Sequence, residues 1–194
     1  IDTFERIVRE KDVRVLVGFH LRFHPGLRLV KNLLSSKEIG FPLSVRAHWG
    51  EYLPGWHPWE DYRKGYSARK DLGGGVLLTL SHPLDYMTWL LGDMKKGWAL
   101  LGFNSNLELD GVEDSAEIGF EMENGVIGSI HLDYYQKPIT HWLEIVGTNG
   151  TIRWNYVHGS VRIYNNDSKS WKEYPTKDEF DRNSLFQAEM EHFL

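Results

Sequence analysis

Apolar and polar residues recur along this chain with two different periods, and the change falls near residue 92. Before it, apolar positions return every three to four residues. Phe4, Ile7 and Val8 predict a helix over 2–10. Leu27, Val30, Leu33 and Leu34 predict a second, opening on Pro25 and closing at Gly40, since proline suits the first helical turn and glycine the position past the last. Between them "VRVLVGFHLRF" (13–23) is almost continuously apolar and rich in β-branched residues, which predicts a buried strand. Residues 41–53 predict a further strand, and "PGWHPWEDYRKGYSARKD", aperiodic and broken by proline and glycine, predicts a long loop.

After residue 92 the period becomes two. Ala116, Ile118, Phe120 and Met122 alternate with Ser115, Glu117 and Glu121, the pattern of a sheet with one buried face. Asn124-Gly125 and Asn149-Gly150 predict two-residue hairpin turns with left-handed central residues. The other face, with Ile127, His131, Tyr135, Leu143 and Ile145, is mixed and partly apolar, so a subunit partner is expected to cover it. The fold class expected is α+β, an open, mostly antiparallel sheet with helices on one face.

At the junction of the two textures stands "GGGVLLTLSHPLDYMTWLLG" (73–92). Pro83 removes a helical hydrogen bond and clashes with the carbonyl of Thr79, at a cost of ~3 kcal/mol, and steers His82 away from helical geometry. A break at Ser81–His82 is therefore expected, with Pro83 opening the second segment. A histidine at such a break can face a cleft; equally, it can be a core histidine among Leu77, Leu78, Leu80, Leu84, Met87, Leu90 and Leu91. The glycines before it can present bare N–H groups to an anion.

The loop just upstream holds Trp56, His57, Trp59, Tyr62, Arg63, Tyr66 and Arg69. Aromatic faces stack on sugars or nicotinamide, and arginine forks bind carboxylate or phosphate. The same residues can instead anchor the loop to its own domain.

Composition narrows the field. The chain has 194 residues, 41% hydrophobic and 25% charged, and no cysteine, which excludes disulfides, thiol nucleophiles and zinc–thiolate sites. The net charge of −5 is dispersed, with no basic stripe for nucleic acid, and no apolar run reaches a membrane span. A cytoplasmic location is expected. His20 and His24 straddle a strand–helix junction and lack a third ligand, so no metal is expected there. Glu51, Glu60 and Asp61 are loop acids with no fixed separation, a poor basis for a glycosidase pair. The chain begins at Ile1 in helical periodicity and stops within the helical "SLFQAEMEHFL", which suggests a piece of a longer protein.

Taken together, "VGFHLRFHP", the order strand–long loop–"GGG" and "HPLDYMTWLLG" resemble the Gfo/Idh/MocA oxidoreductases over nearly the whole chain, most specifically at 22–25 and 73–85. The resemblance implies a two-domain dehydrogenase, of which residues 1–23 are the last helix and strand of a Rossmann domain and 24–194 the α+β substrate-binding and oligomerisation domain, truncated at its C-terminal end. It implies NAD or NADP held mainly by the Rossmann domain, a sugar substrate, with acidic and nucleotide-linked sugars among the candidates, and a homo-oligomer formed through the open sheet face. The loop resembles a subgroup acting on bacterial surface sugars, including acidic ones. His82 matches the family's general acid/base and Asp85 the aspartate three residues later, while Leu78 and Thr79 stand where the family usually has a further aspartate. His82, Asp85 and Thr79 are thus the expected catalytic set. Arg22, Trp56, His57, Trp59, Tyr62, Arg63 and Tyr66 are assigned to the substrate, and Arg69, Gly74 and Gly75 to the cofactor. The alternative is a sugar-binding or oligomerisation module without hydride transfer.

Overall fold

The protein is described by a computed structural model over residues 2–175 and 181–194. Helix α1 spans Asp2–Lys11 and buries none of its residues, and α2 spans Pro25–Ser35. Pro25 opens α2 as expected, and His24 caps it, its Nδ1 accepting from Gly26 N at 3.0 Å. The helix closes earlier than Gly40. Lys37 turns left-handed (φ +58°), and Lys37 and Glu38 N–H groups return to the carbonyls of Leu34 and Leu33, the bond pattern that ends a helix on an αL residue.

Strand β1 (Pro42–Gly50) leads into the loop, which is built of four short 3-10 turns between Leu53 and Leu72. Helix α3 (Val76–Thr79) and helix α4 (His82–Leu91) are separate segments, with Pro83 in the first turn of α4. The expected break is present, but it falls at Leu80–Ser81, and His82, not Pro83, is the first residue of α4. The remaining strands are β2 (Met94–Gly102), β3 (Ser115–Met122), β4 (Ile127–Asp133), β5 (Thr140–Gly147), β6 (Gly150–Asn155), β7 (Val161–Asn165) and β8 (Ser170–Tyr174). Helix α5 (Asn183–Phe193) follows. No described helix is long and apolar enough to cross a membrane.

The strands form one open sheet in the order β2-β3-β4-β1-β5-β6-β7-β8, antiparallel except for the β1–β4 pair. The fold is the α+β architecture expected from the period change. Helix α2 packs on β6 and β7, α3 on β3 and β4, and α4 on β1. The core lies between these helices and one sheet face, on Val45, Ala47, Ile118, Phe120, Ile130, Leu132, Trp154 and Ile163, with Leu27, Val30, Tyr86 and Met87 from the helices.

Three local expectations are corrected. Residues 13–19 form no strand: Val13, Val15, Leu16 and Val17 are exposed, and none joins a β-ladder among the described residues. β-branched residues favour a strand only where a ladder exists to receive its N–H and C=O groups. Only His20 and Leu21, in a 3-10 turn over His20–Phe23, reach the interior. Second, Leu143 and Ile145 belong to the core face, since they register with Ala47 and Val45 and are buried, whereas Ile127 and Tyr135 are exposed.

Third, the Asn-Gly pairs do not make two left-handed residues each. At 124–125 only Gly125 is left-handed (φ +84°), and Gly125 N returns to Met122 O, giving a three-residue loop that ends on its glycine. At 149–150 the glycine serves close approach instead. A Cβ on Gly150 would lie 2.1 Å from Tyr164 O, and one on Gly147 2.2 Å from Ile39 O.

Candidate active site

Strand alternation and the break before α4 bring one group of rings together. Trp49, near the end of β1, points to the helical side of the sheet, with its ring 5.7 Å from that of His82 and stacked at 4.4 Å on His141. His82 opens α4, and its ring also meets His20 at 4.6 Å and Phe19 at 5.7 Å. His82 Nδ1 is buried and has no hydrogen-bond partner. Burial, then the nearby His20 and Arg182, lowers the His82 pKa to about 4, so the imidazole is neutral at pH 7. A neutral ring with an unsatisfied buried nitrogen can take a proton, or a hydrogen bond, from a hydroxyl placed against it.

Glu51 belongs to this group, although the sequence offers it only as a loop acid. Its N–H donates to Asp133 O at 3.1 Å, carrying the β1 ladder one step further. Period two then puts Glu51 on the same side as Trp49, whose Nε1 donates to Glu51 Oε2 at 3.4 Å. Burial raises the Glu51 pKa despite that bond and the nearby Arg182. Arg182, just before α5, acts electrostatically on His20, His82, Glu51 and Tyr156 alike. Continued strand alternation is the signal that finds Glu51. Nothing local marks Arg182, which is far in sequence from His20, Glu51 and His82.

Asp85 and Arg22, expected in the catalytic and substrate sets, hold each other. Arg22 Nε and Nη2 donate to the two oxygens of buried Asp85 at 2.9 and 2.5 Å. The pair fixes the turn at 20–23 against α4, and Asp85 makes no bond to His82. The hydroxyl-bearing side chain of Thr79, in α3, lies beside Tyr134, which itself donates to Ser67 O at 3.3 Å.

The loop divides. Trp56 packs edge-on against Tyr134 and Tyr62 packs on the core, its hydroxyl accepting from Glu108 N at 3.0 Å. Arg63 is taken up by Asp61 and Glu108, and Arg69 by Asp71. These four residues pin the loop to its own domain and to the 107–114 segment. His57, Trp59 and Tyr66 remain exposed and open to a ligand, with Trp59 76% exposed.

The glycine entry to α3 offers no bare donors. Gly74 N bonds Arg69 O, Gly75 N bonds Ser67 O, Val76 N bonds Glu113 O, and Leu77 N donates to the Glu113 carboxylate at 3.0 Å. Glu113 already supplies the anion. Gly74 is required because a Cβ would meet backbone atoms of Tyr66 and Arg69, and Gly75 because its φ is +103°. Arg69, Gly74 and Gly75, assigned to the cofactor from the sequence, spend these donors on local structure.

A second cluster, not anticipated from sequence, lies on the opposite sheet face. His48 and His131 sit opposite each other in the β1–β4 register, and their rings stack at 4.7 Å beside Asp133. His131 bridges two carboxylates, Nδ1 to Glu117 at 2.5 Å and Nε2 to Asp133 at 3.0 Å. The same alternation that sends Trp49 toward His82 sends His48 away from it.

Comparison with known proteins agrees with this architecture. Residues 27–153 match the sequence profile described as the GFO/IDH/MocA C-terminal domain. The chain is 27% identical over 155 residues to a 1,5-anhydro-D-fructose reductase of Ensifer adhaerens, covering 78% of the chain and 45% of that protein. It is 29% identical over 176 residues to an uncharacterized oxidoreductase of Synechocystis sp., covering 81% and 46%. The chain thus spans about half the length of the curated relatives it matches. Among solved structures, levoglucosan dehydrogenase in complex with NADH and levoglucosan superposes with a TM-score of 0.81 at 20% identity, over 92% of this chain and 55% of that one. An inositol dehydrogenase homolog from Azotobacter vinelandii in complex with NAD+ superposes with a TM-score of 0.76 at 14% identity, over 95% and 49%. With the family profile covering most of its length and the same α+β sheet beneath it, this chain belongs to the GFO/IDH/MocA family, as its C-terminal domain.

Proposed function

We propose that this chain is the substrate-side domain of an NAD(P)-dependent oxidoreductase that acts on a hydroxyl of a neutral sugar or polyol. The observation that carries the reading is His82, a neutral imidazole with an unsatisfied buried nitrogen at the head of α4, walled by Trp49, His20 and Phe19. Relatives named as a 1,5-anhydro-D-fructose reductase and a levoglucosan dehydrogenase support a sugar. Because Arg63 and Arg69 are paired with their own neighbours, neutral sugars fit better than the acidic class.

Arg69, Gly74 and Gly75 do not form a phosphate cradle, so within this reading the pyrophosphate of NAD(P) belongs to a Rossmann domain outside these residues. The cofactor, when bound, supplies a hydride acceptor. The residues of this chain handle the proton. As a sugar carbinol is oxidised, His82 accepts the hydroxyl proton, and in the reverse direction it returns it. Arg182 bears on the imidazolium so formed and disfavours it. Trp59, Tyr66 and His57 offer exposed faces for the sugar ring. Exposed Trp98, Leu100 and Ile127 on the open sheet face support pairing with a second copy.

The Arg22–Asp85 pair favours a second reading, a sugar-binding module, because it leaves His82 without a carboxylate partner. The test is NAD(P)H absorbance with the complete gene product across neutral and acidic sugars. Turnover on neutral sugars supports the reading. Binding of sugars without turnover supports the module, and turnover confined to acidic sugars overturns the substrate class.

A further inference from the structure

We infer that the open face of the sheet carries a binding site for one divalent transition-metal ion of the zinc type, held by His48, His131 and Asp133. The three donor atoms lie within 4.8 Å of one another, and they stand on the face opposite His82. The site is thus distinct from the proposed proton-transfer group, and the inference stands whether or not the oxidoreductase reading does.

Two histidine nitrogens and one carboxylate oxygen form the donor set of many three-ligand zinc sites, with the fourth position left to water. Zinc bound at about 2.0–2.1 Å to tetrahedral donors holds them about 3.3 Å apart. Here Asp133 Oδ2 is 3.0 Å from His131 Nε2 and 3.9 Å from His48 Nε2, distances that bracket that value. The longer one is beyond hydrogen bonding, and His48 Nε2 is buried with no hydrogen-bond partner of ordinary geometry. The Gln136 side chain is the other polar group beside His48. An ion between the three donors would satisfy the nitrogen that the protein leaves bare.

The surroundings are those of a prepared ligand set. Glu117 holds His131 Nδ1 at 2.5 Å, which directs Nε2 toward the site, the carboxylate–histidine–metal arrangement. Asp133 Oδ1 accepts the N–H groups of Tyr135 and Gln136 at 2.9 and 2.6 Å, leaving Oδ2 to the histidines. Strand pairing sets the spacing, since His48 and His131 are register partners and Asp133 is paired with Gly50. Gly50 keeps the place open: a Cβ there would lie 2.3 Å from Asp133 Oδ2. A cleft of about 550 Å³, lined by His131, Glu117, Tyr135 and Phe103, gives access from solvent. Nitrogen donors select zinc, cobalt or nickel over magnesium and calcium.

The experiment titrates the metal-stripped chain with Zn²⁺ against a chromophoric chelator and records the visible spectrum of the Co²⁺ form. The expected result is one equivalent bound, with the d–d bands of a low-coordinate site. His48→Gln and Asp133→Asn should each weaken binding by roughly 100-fold or more and Glu117→Gln by roughly 10–100-fold, while His57→Gln leaves it unchanged. Should a ligand variant fail to fold, the unmutated Co²⁺ form decides by NMR: paramagnetic shifts on two histidine rings support the site, and any other number overturns it. Absence of stoichiometric binding also overturns it, and leaves His131 as an imidazolium clamped between Glu117 and Asp133. Binding that the ligand variants leave unchanged overturns it equally.

Discussion

Arg22 grips Asp85 with two donors on one edge of its guanidinium, Nε to Oδ2 at 2.9 Å and Nη2 to Oδ1 at 2.5 Å, across 63 residues of sequence. The aspartate is 8% exposed, so removal of the arginine strands a buried carboxylate. Breaking a fully buried pair costs about 3–5 kcal/mol, but the Arg22 side chain is 42% exposed and solvent screens part of that. Arg22→Ala should therefore lower unfolding stability by roughly 1–3 kcal/mol, read as a shift in the urea midpoint. An unchanged midpoint would show that the pair adds nothing to the fold.

The histidines of the helical layer predict acid sensitivity. Burial lowers the pKa of His24 and of His82 to about 4, below the 6.5 of an unfolded chain. Between those values the unfolded chain binds protons that the native state refuses, so stability falls as pH drops from 6.5 toward 4 and is fully present above 6.5. At about 1.4 kcal/mol per unit each contributes up to roughly 3 kcal/mol, with His82 at the lower end because it is less buried. Urea midpoints at pH 7 and pH 4.5 should differ accordingly. His24→Asn, which keeps an acceptor for Gly26 N, should flatten the dependence. Equal midpoints in the native protein would mean these rings are hydrated.

Gly150 and Gly125 should respond differently to alanine. At Gly125 the added Cβ meets nothing within 4 Å, and the penalty is the left-handed backbone, about 1 kcal/mol. At Gly150 it would sit 2.1 Å from Tyr164 O, so β6 and β7 must separate. Thermal unfolding should rank Gly150→Ala well below Gly125→Ala, and the reverse order would contradict the close approach.

Glu113 substitutes for a ligand at the head of α3. Glu113→Ala removes its charge-assisted bond to Leu77 N and should cost about 1 kcal/mol. Circular dichroism melts check this, with Glu113→Gln, which keeps an acceptor, losing less.

The break at His82 is written in Pro83, and the buried face of β3 in the alternation from Ala116 to Met122, because both follow local rules that a sequence states directly. The failed strand at 13–19 shows the limit, since β-branched residues state a preference but cannot supply a partner. The loop arginines fail for a related reason: Arg63 and Arg69 look available until Asp61, Glu108 and Asp71 are placed beside them. His131 and Asp133 share a face of β4 by alternation, but His48 joins them only through the parallel β1–β4 register, which the sequence does not state.

That His82 moves the substrate proton is tested most directly by turnover of His82→Gln in the complete gene product. The expected result is a kcat reduced by about 10²–10⁴-fold, with sugar affinity changed only a few-fold. A kcat within threefold of the unmutated enzyme, a margin far below about 10²-fold general acid–base catalysis, would contradict that role and return His82 to the core.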